Sequence, residues 1–197
     1  MVSHSPVDNG VMHDALWCVS DWLDGHNVGF WLDCGVLLGA VYIGDFLDDD
    51  YDIDLGLYMG SYPVVKDLVG NRTGLPSGLH FQARYNRVIQ LNYGGKVMID
   101  LCFFDKVRWM DHYEWQCQNS GDYMFWHPGV HLDRLEKLVF LGREFSVPYR
   151  ARGCLVHHYG PDIQIPSVGG YDWHKGYNVR RRVGKDWIDN EFVVAGL

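Results

Sequence analysis

The amino-acid sequence predicts one α/β (or α+β) domain over residues 1–197, and three observations predict it. The first is a helix near the start with a single apolar face, which needs a sheet to pack against. The second is a short apolar strand followed by a glycine and a short buried helix. The third is a β-rich middle with three strand patterns in a row. A chain of 197 residues makes one real core and is short for two domains.

The elements follow in order. Asp8 caps the first helix, where Val11, Met12, Ala15, Leu16, Val19, Trp22 and Leu23 recur at helical spacing until Gly25. Residues 28–33 are short and apolar and read as a strand, broken by Gly35. Residues 36–43 read as a short buried helix, the acidic stretch after them as a loop, and residues 53–57 as a second strand. A helix follows around residues 63–69. Segments 79–84, 88–93 and 97–104 are strands, with Gly94-Gly95 as a two-residue turn between the last two. Residues 105–118 are read as a helix. Segments 138–140 and 144–147 form a hairpin around Gly142, and residues 150–159 a helix ended by Gly160-Pro161. The tail from Tyr171 onward has no clear period.

Composition excludes several classes. The formal net charge is −8, and the basic run is limited to Arg180-Arg181-Arg182, so a nucleic-acid partner is not expected. The five cysteines are odd in number and none are at CxxC spacing, which indicates neither a disulfide framework nor a zinc knuckle. No apolar run approaches the roughly 20 residues of a membrane span, and no segment has the pattern of a signal peptide. Reduced thiols in a cytoplasm are the expectation.

The chemistry gathers in one stretch: Asp45, Asp48, Asp49, Asp50, Asp52 and Asp54. Such a crowd repels itself unless water solvates it or a cation sits there. Residues two apart in a strand face the same side, so Asp52 and Asp54 present both carboxylates to one place, and Asp50 adds a third at the same spacing. Hard oxygens close together on a rigid element suit a divalent ion. Asp100 is a lone acid in the apolar strand 97–104, costly unless paired or bound to metal. If that strand lies beside strand 53–57, Asp100 completes the cluster. Ions held this way assist displacement at phosphorus, and the turn at Gly35 lets backbone N–H groups approach phosphates.

Other residues have plainer readings. The acidic loop is no EF-hand, because its sixth and twelfth positions counted from Asp48 are Ile53 and Met59, where Gly and Glu are required. Asp45, Asp48 and Asp49 read as solvated loop charges. Arg84 and Arg87, near a strand turn, are candidates for donor phosphates. Arg180 to Arg182 read as a solvated face or an acceptor-phosphate contact. His157-His158 read as packing or capping, since adjacent helical positions point apart. Trp126, Trp173 and Trp187 read as core in preference to a choline box.

The segments Trp31-Leu32-Asp33-Cys34-Gly35-Val36-Leu37-Leu38-Gly39-Ala40-Val41 and Asp50-Tyr51-Asp52-Ile53-Asp54-Leu55-Gly56-Leu57-Tyr58 resemble the LicD family, the latter most closely in its fukutin-related form. Phe140-Leu141-Gly142-Arg143-Glu144-Phe145-Ser146-Val147-Pro148 and His158-Tyr159-Gly160-Pro161-Asp162 resemble the family's C-terminal pattern. The resemblance implies a nucleotidyltransferase-like fold, a short mixed sheet flanked by helices. It implies transfer of an alcohol-phosphate, phosphocholine or ribitol phosphate, from a CDP-activated alcohol to a hydroxyl of a glycan or small molecule, with CMP leaving. Asp50, Asp52, Asp54 and Asp100 would hold Mg²⁺ or Mn²⁺, with Asp52, Asp54 and Asp100 catalytic and Gly35, Arg84 and Arg87 at the donor. Two alternatives stay open: nucleotidyl transfer from a nucleoside triphosphate, and a non-catalytic nucleotide-binding domain. The second rests on a departure, since the family's usual Arg-His pair is missing near Tyr42-Ile43.

Overall fold

A computed structural model describes residues 7–48, 50–70, 74–118, 121–161, 163, 174, 176–183 and 185–189. Helix α1 (Asn9–Gly25) begins where the Asp8 side chain accepts from the Gly10 N–H. Met12, Ala15, Leu16, Val19 and Leu23 line its buried face. Burial of Leu16 and Leu23 contributes about 1.5–3 kcal/mol each. Strand β1 (Phe30–Leu32) leads through Asp33 into α2 (Cys34–Tyr42), and the acidic loop returns the chain to β2 (Asp52–Tyr58). A short 3₁₀ turn and α3 (Tyr62–Gly70) precede β3 (Leu79–Tyr85), β4 (Val88–Tyr93) and β5 (Val97–Trp109).

These strands make a mixed sheet. β1 is antiparallel to β2, β2 is parallel to β5, and β4 and β3 extend the other side of β5 antiparallel. The parallel β2–β5 pair requires a crossover, which α3 and the β3–β4 hairpin provide. Ile53, Leu55, Leu57, Ile99, Leu101 and Phe103 pack into the core that holds the buried face of α1 and the apolar residues of α2. The alternate residues, with Trp31, Cys102 and Phe104 among them, belong to a second cluster on the other side. Gly56 is needed there, because the ideal Cβ of any other residue would lie 2.1 Å from the Trp31 ring.

The second half of β5 corrects the helix expected over residues 105–118. It pairs antiparallel with β6 (His112–Gln118), which pairs with β7 (Tyr123–Pro128), and β7 in turn with β10 (Val179–Val183) and β11 (Asp186–Asp189) beyond it. The reason is a long-range one: buried Glu114 of β6 meets Arg180 of β10, whose Nη2 lies 3.0 Å from Glu114 Oε2. A charged residue on the buried face and Trp115 on the other hide the period of two. Arg180 is thus neither a solvated charge nor free for a phosphate. It is 2% exposed and stacked between Trp109 and Trp126, at 4.2 and 4.3 Å. Arg181 and Arg182 are exposed.

The remaining elements are α4 (Gly129–Leu132), the hairpin β8 (Leu135–Phe140) and β9 (Arg143–Pro148), and α5 (Ala151–Tyr159). The hairpin turns at Leu141 and Gly142, both at positive φ, as a two-residue primed turn demands. Trp126 packs on Arg180 and His157, as a core residue would. Trp173 and the Trp187 side chain lie outside the described residues. Among the described residues no helix is long and apolar enough to cross a membrane.

Candidate active site

The register of the sheet assembles the site. Asp54 of β2 stands directly beside Asp100 of β5, and Gln90 of β4 stands beside Asp100 on its other side. Asp52 precedes Asp54 by two residues, so its side chain shares that face. All three residues are half-buried. Gln90 Nε2 donates to Asp100 Oδ1 at 2.8 Å and to the Tyr85 hydroxyl oxygen at 3.1 Å. Asp100 is therefore held by a fixed donor.

The turn between β1 and α2 closes one end. Asp33, 2% exposed, caps α2 by accepting from the Cys34 N–H at 3.0 Å, and its own N–H donates to the Asp54 carbonyl at 3.1 Å. Cys34 sits at φ +46°, a conformation that strains a non-glycine residue and collects at functional turns. Gly35 follows in the first turn of α2. An ideal Cβ there would stand 3.0 Å from Asp50 Oδ2, a buried oxygen with no hydrogen-bond partner among the described residues. Asp50 Oδ1 accepts from the Tyr51 N–H. Asp45 caps Phe46 N–H and Asp48 is exposed, as loop charges should be, while Asp49 lies outside the described residues.

Electrostatics mark the same residues. Burial, then the charges of Asp52, Asp100, Asp33 and Asp50, pushes the Asp54 carboxyl well above the usual range. Burial, with Asp52 adding to it, raises Asp100 to about 6 against the hydrogen bonds from Gln90 and Tyr85. Burial raises Asp33 to about 7 and also lifts Asp50. These groups bind protons more tightly folded than unfolded, so their contribution to stability is full below about pH 4 and is lost as pH rises through 6 to 7. Three buried imidazoles run the other way. Burial holds His127 well below its ordinary value, His157 at about 4 and His158 at about 3. Their contribution is present above pH 6.5 and is lost as pH falls. The carboxylate limb is isolated by a difference: without divalent ions, the melting-temperature gain of Asp54→Asn over the parent chain should be larger at pH 8 than at pH 5. An equal gain at both would mean that Asp54 is not repelled by its neighbours.

Neither arginine joins the carboxylates. Arg87 Nη1 donates to the Gln116 carbonyl at 3.2 Å and its Nη2 lies 3.5 Å from Asp105, ties that hold β4 to β5 and β6. Arg84 pairs with Ile89, whose side chain packs in the helix-side core, so Arg84 projects from the face opposite Asp100. A bulge between Phe81 and Ala83 causes this; without it Arg84 would face Val88 on the carboxylate side. Sequence reasoning also gave no role to Asp33, Gln90 or Tyr85. Gln90 carried the same signal as Asp100, a polar residue inside an apolar strand, and Asp33 carried a helix-cap signal.

The donor set is all oxygen, which fits Mg²⁺ or Mn²⁺ by chemistry. Among the described residues no three His, Cys, Asp or Glu side chains form a ready cage for an ion. Mg²⁺ is usually bound by one or two carboxylates together with substrate phosphates, so such a cage is not required of this site.

Comparisons with known proteins bear on the family and the fold. The ribitol 5-phosphate transferases FKRP of Homo sapiens and Mus musculus are each 28% identical to this chain over 72% of it. The match covers 29% of their length, so the chain spans under a third of the curated relatives it matches. Among solved structures, the lincosamide antibiotic adenylyltransferase LnuA, with lincomycin bound, aligns at TM-score 0.52 and 14% identity, covering 82% of this chain and 91% of its own. That likeness speaks for the nucleotidyltransferase fold. The family model described as LicD/FKTN/FKRP, nucleotidyltransferase domain, matches residues 27–150, a span that contains the Asp33–Gly35 turn, Asp50, Asp52, Asp54, Gln90 and Asp100, and the chain belongs to that family.

Proposed function

We propose that this domain is a metal-dependent phosphotransferase that moves an alcohol-phosphate, of the ribitol-phosphate or phosphocholine type, from a CDP-linked donor to a hydroxyl acceptor. The observation that carries the reading is the pairing of Asp54 with Asp100 across two parallel strands, with Asp52 on the same face. Membership of a family whose relatives include ribitol 5-phosphate transferases supports an alcohol-phosphate as the group transferred.

In this reading Asp52 and Asp54 hold the ion, with Asp50 in support through its unpartnered Oδ2. A bound Mg²⁺ or Mn²⁺ supplies neutralising charge at the donor diphosphate. A side chain at Gly35 would press on Asp50, so the glycine lets the start of α2 lie against that carboxylate. Asp100 accepts the proton of the acceptor hydroxyl as that oxygen bonds to the β-phosphorus and the bond to the CMP oxygen breaks. Gln90, donating to Asp100 Oδ1, fixes the plane of that carboxylate.

The test is CMP release from CDP-ribitol or CDP-choline with Mg²⁺ and sugar acceptors. Stoichiometric CMP and phosphodiester product support the reading. Pyrophosphate from a nucleoside triphosphate, with the CDP-alcohols untouched, would move the assignment to nucleotidyl transfer. Replacing Gln90 by Leu should lower kcat by about tenfold with donor KM little changed, because the base loses its orientation and the ion keeps its ligands. A variant with unchanged kcat would remove Gln90 from the account.

A further inference from the structure

A cavity of about 710 Å³ opens on the helix side of the sheet, between α3 and the edge strand β3. Its volume is that of a small-molecule site. Leu79 and Val69 are buried in its floor, and Phe81, half exposed, forms part of its wall. Lys66 of α3 and Arg84 of β3 line it as well. Neither of these side chains has an ion-pair or hydrogen-bond partner among the described residues. No Asp or Glu lines the cavity among the described residues, although the chain carries 25 acidic residues against 17 basic ones. Two unpaired cations over an apolar floor are therefore not what the composition would supply by default. The carbonyl end of α3, at Gly70, bears only about half a negative charge against their two full positive ones.

The bulge in β3 points to the same place. It shifts the register by one residue and turns Arg84 from the carboxylate face to the cavity face, beside Phe81. Bulges of this kind re-aim side chains next to sites.

We propose that this cavity is a second ligand site, separate from the carboxylates, for a small amphipathic anion: an apolar body on Leu79, Phe81 and Val69, and a phosphate or carboxylate held by Lys66 and Arg84. Arg84 offers a planar fork that suits such groups, and Lys66 a mobile point charge. Both side chains are exposed, so their replacement leaves the fold intact.

The experiment is calorimetric titration of the full chain with 1-naphthyl phosphate, with inorganic phosphate and 1-naphthol as separate probes. The combined ligand should bind at least about tenfold tighter than either fragment, because both halves of the cavity contribute. The double variant Lys66→Gln/Arg84→Gln should weaken it by about tenfold or more, and Asp100→Asn should leave it unchanged. Undiminished binding in the double variant would overturn the proposal. So would phosphate alone binding as tightly, or a loss of binding in Asp100→Asn, which would place the ligand on the other face.

Discussion

Asp54→Asn should lower turnover of the CDP-alcohol by about 10²–10³-fold while leaving the fold intact. The amide keeps the shape of the side chain and removes the charge at the centre of the cluster, where Asp52, Asp100, Asp33 and Asp50 all act on it. The same change should raise the melting temperature of the metal-free protein, since four like charges no longer face a fifth. Adding Mg²⁺ should then narrow the gap, because the ion stabilises the parent chain and finds one ligand fewer in the variant. The paired measurement, turnover and melting temperature with and without Mg²⁺, separates an ion site from a structural acid. A fully active Asp54→Asn enzyme, or one destabilised without metal, contradicts the assignment.

Arg180→Met should lower unfolding free energy by about 3–5 kcal/mol, because it takes the guanidinium from a buried carboxylate and leaves it only His112 and Gln116. Glu114 has no exposed surface and accepts from both Arg180 and Gln116 Nε2, while the guanidinium lies between two tryptophan rings. This group ties β6 to β10 across the middle of the chain. Replacing both partners, with Glu114→Leu added to Arg180→Met, should recover a large part of the loss, since no charge is then left buried. Urea denaturation of both variants checks this. A single variant within about 1 kcal/mol of the parent would show the pair to be solvated like a surface ion pair.

What the sequence revealed follows the range of the interactions. α1, α2, β2 and the β8–β9 hairpin were legible because caps, turn residues and apolar periods act within a few positions. The carboxylates were legible because Asp52 and Asp54 share a face by strand geometry alone, and Asp100 was an acid in an apolar strand. Its partnership with Asp54 depended on a strand pairing that the sequence could only pose as a condition, and the parallel register satisfies it. β6 was read as part of a helix because its buried face holds Glu114 and Gln116, a pattern that makes sense only with Arg180 in place. β7, β10 and β11 rest on the same pairing. Arg84 was read only as lying near a strand turn, and the bulge that turns it to the opposite face acts through strand pairing that the local sequence does not display.

Ion-dependent donor binding is tested by a thermal-shift comparison of CDP-ribitol, CDP-choline and CTP, each with Mg²⁺ and with chelator. A CDP-alcohol should raise the melting temperature only with Mg²⁺, and Asp54→Asn should remove the rise. A rise that is equal in chelator, or one produced by the triphosphate alone, would contradict it.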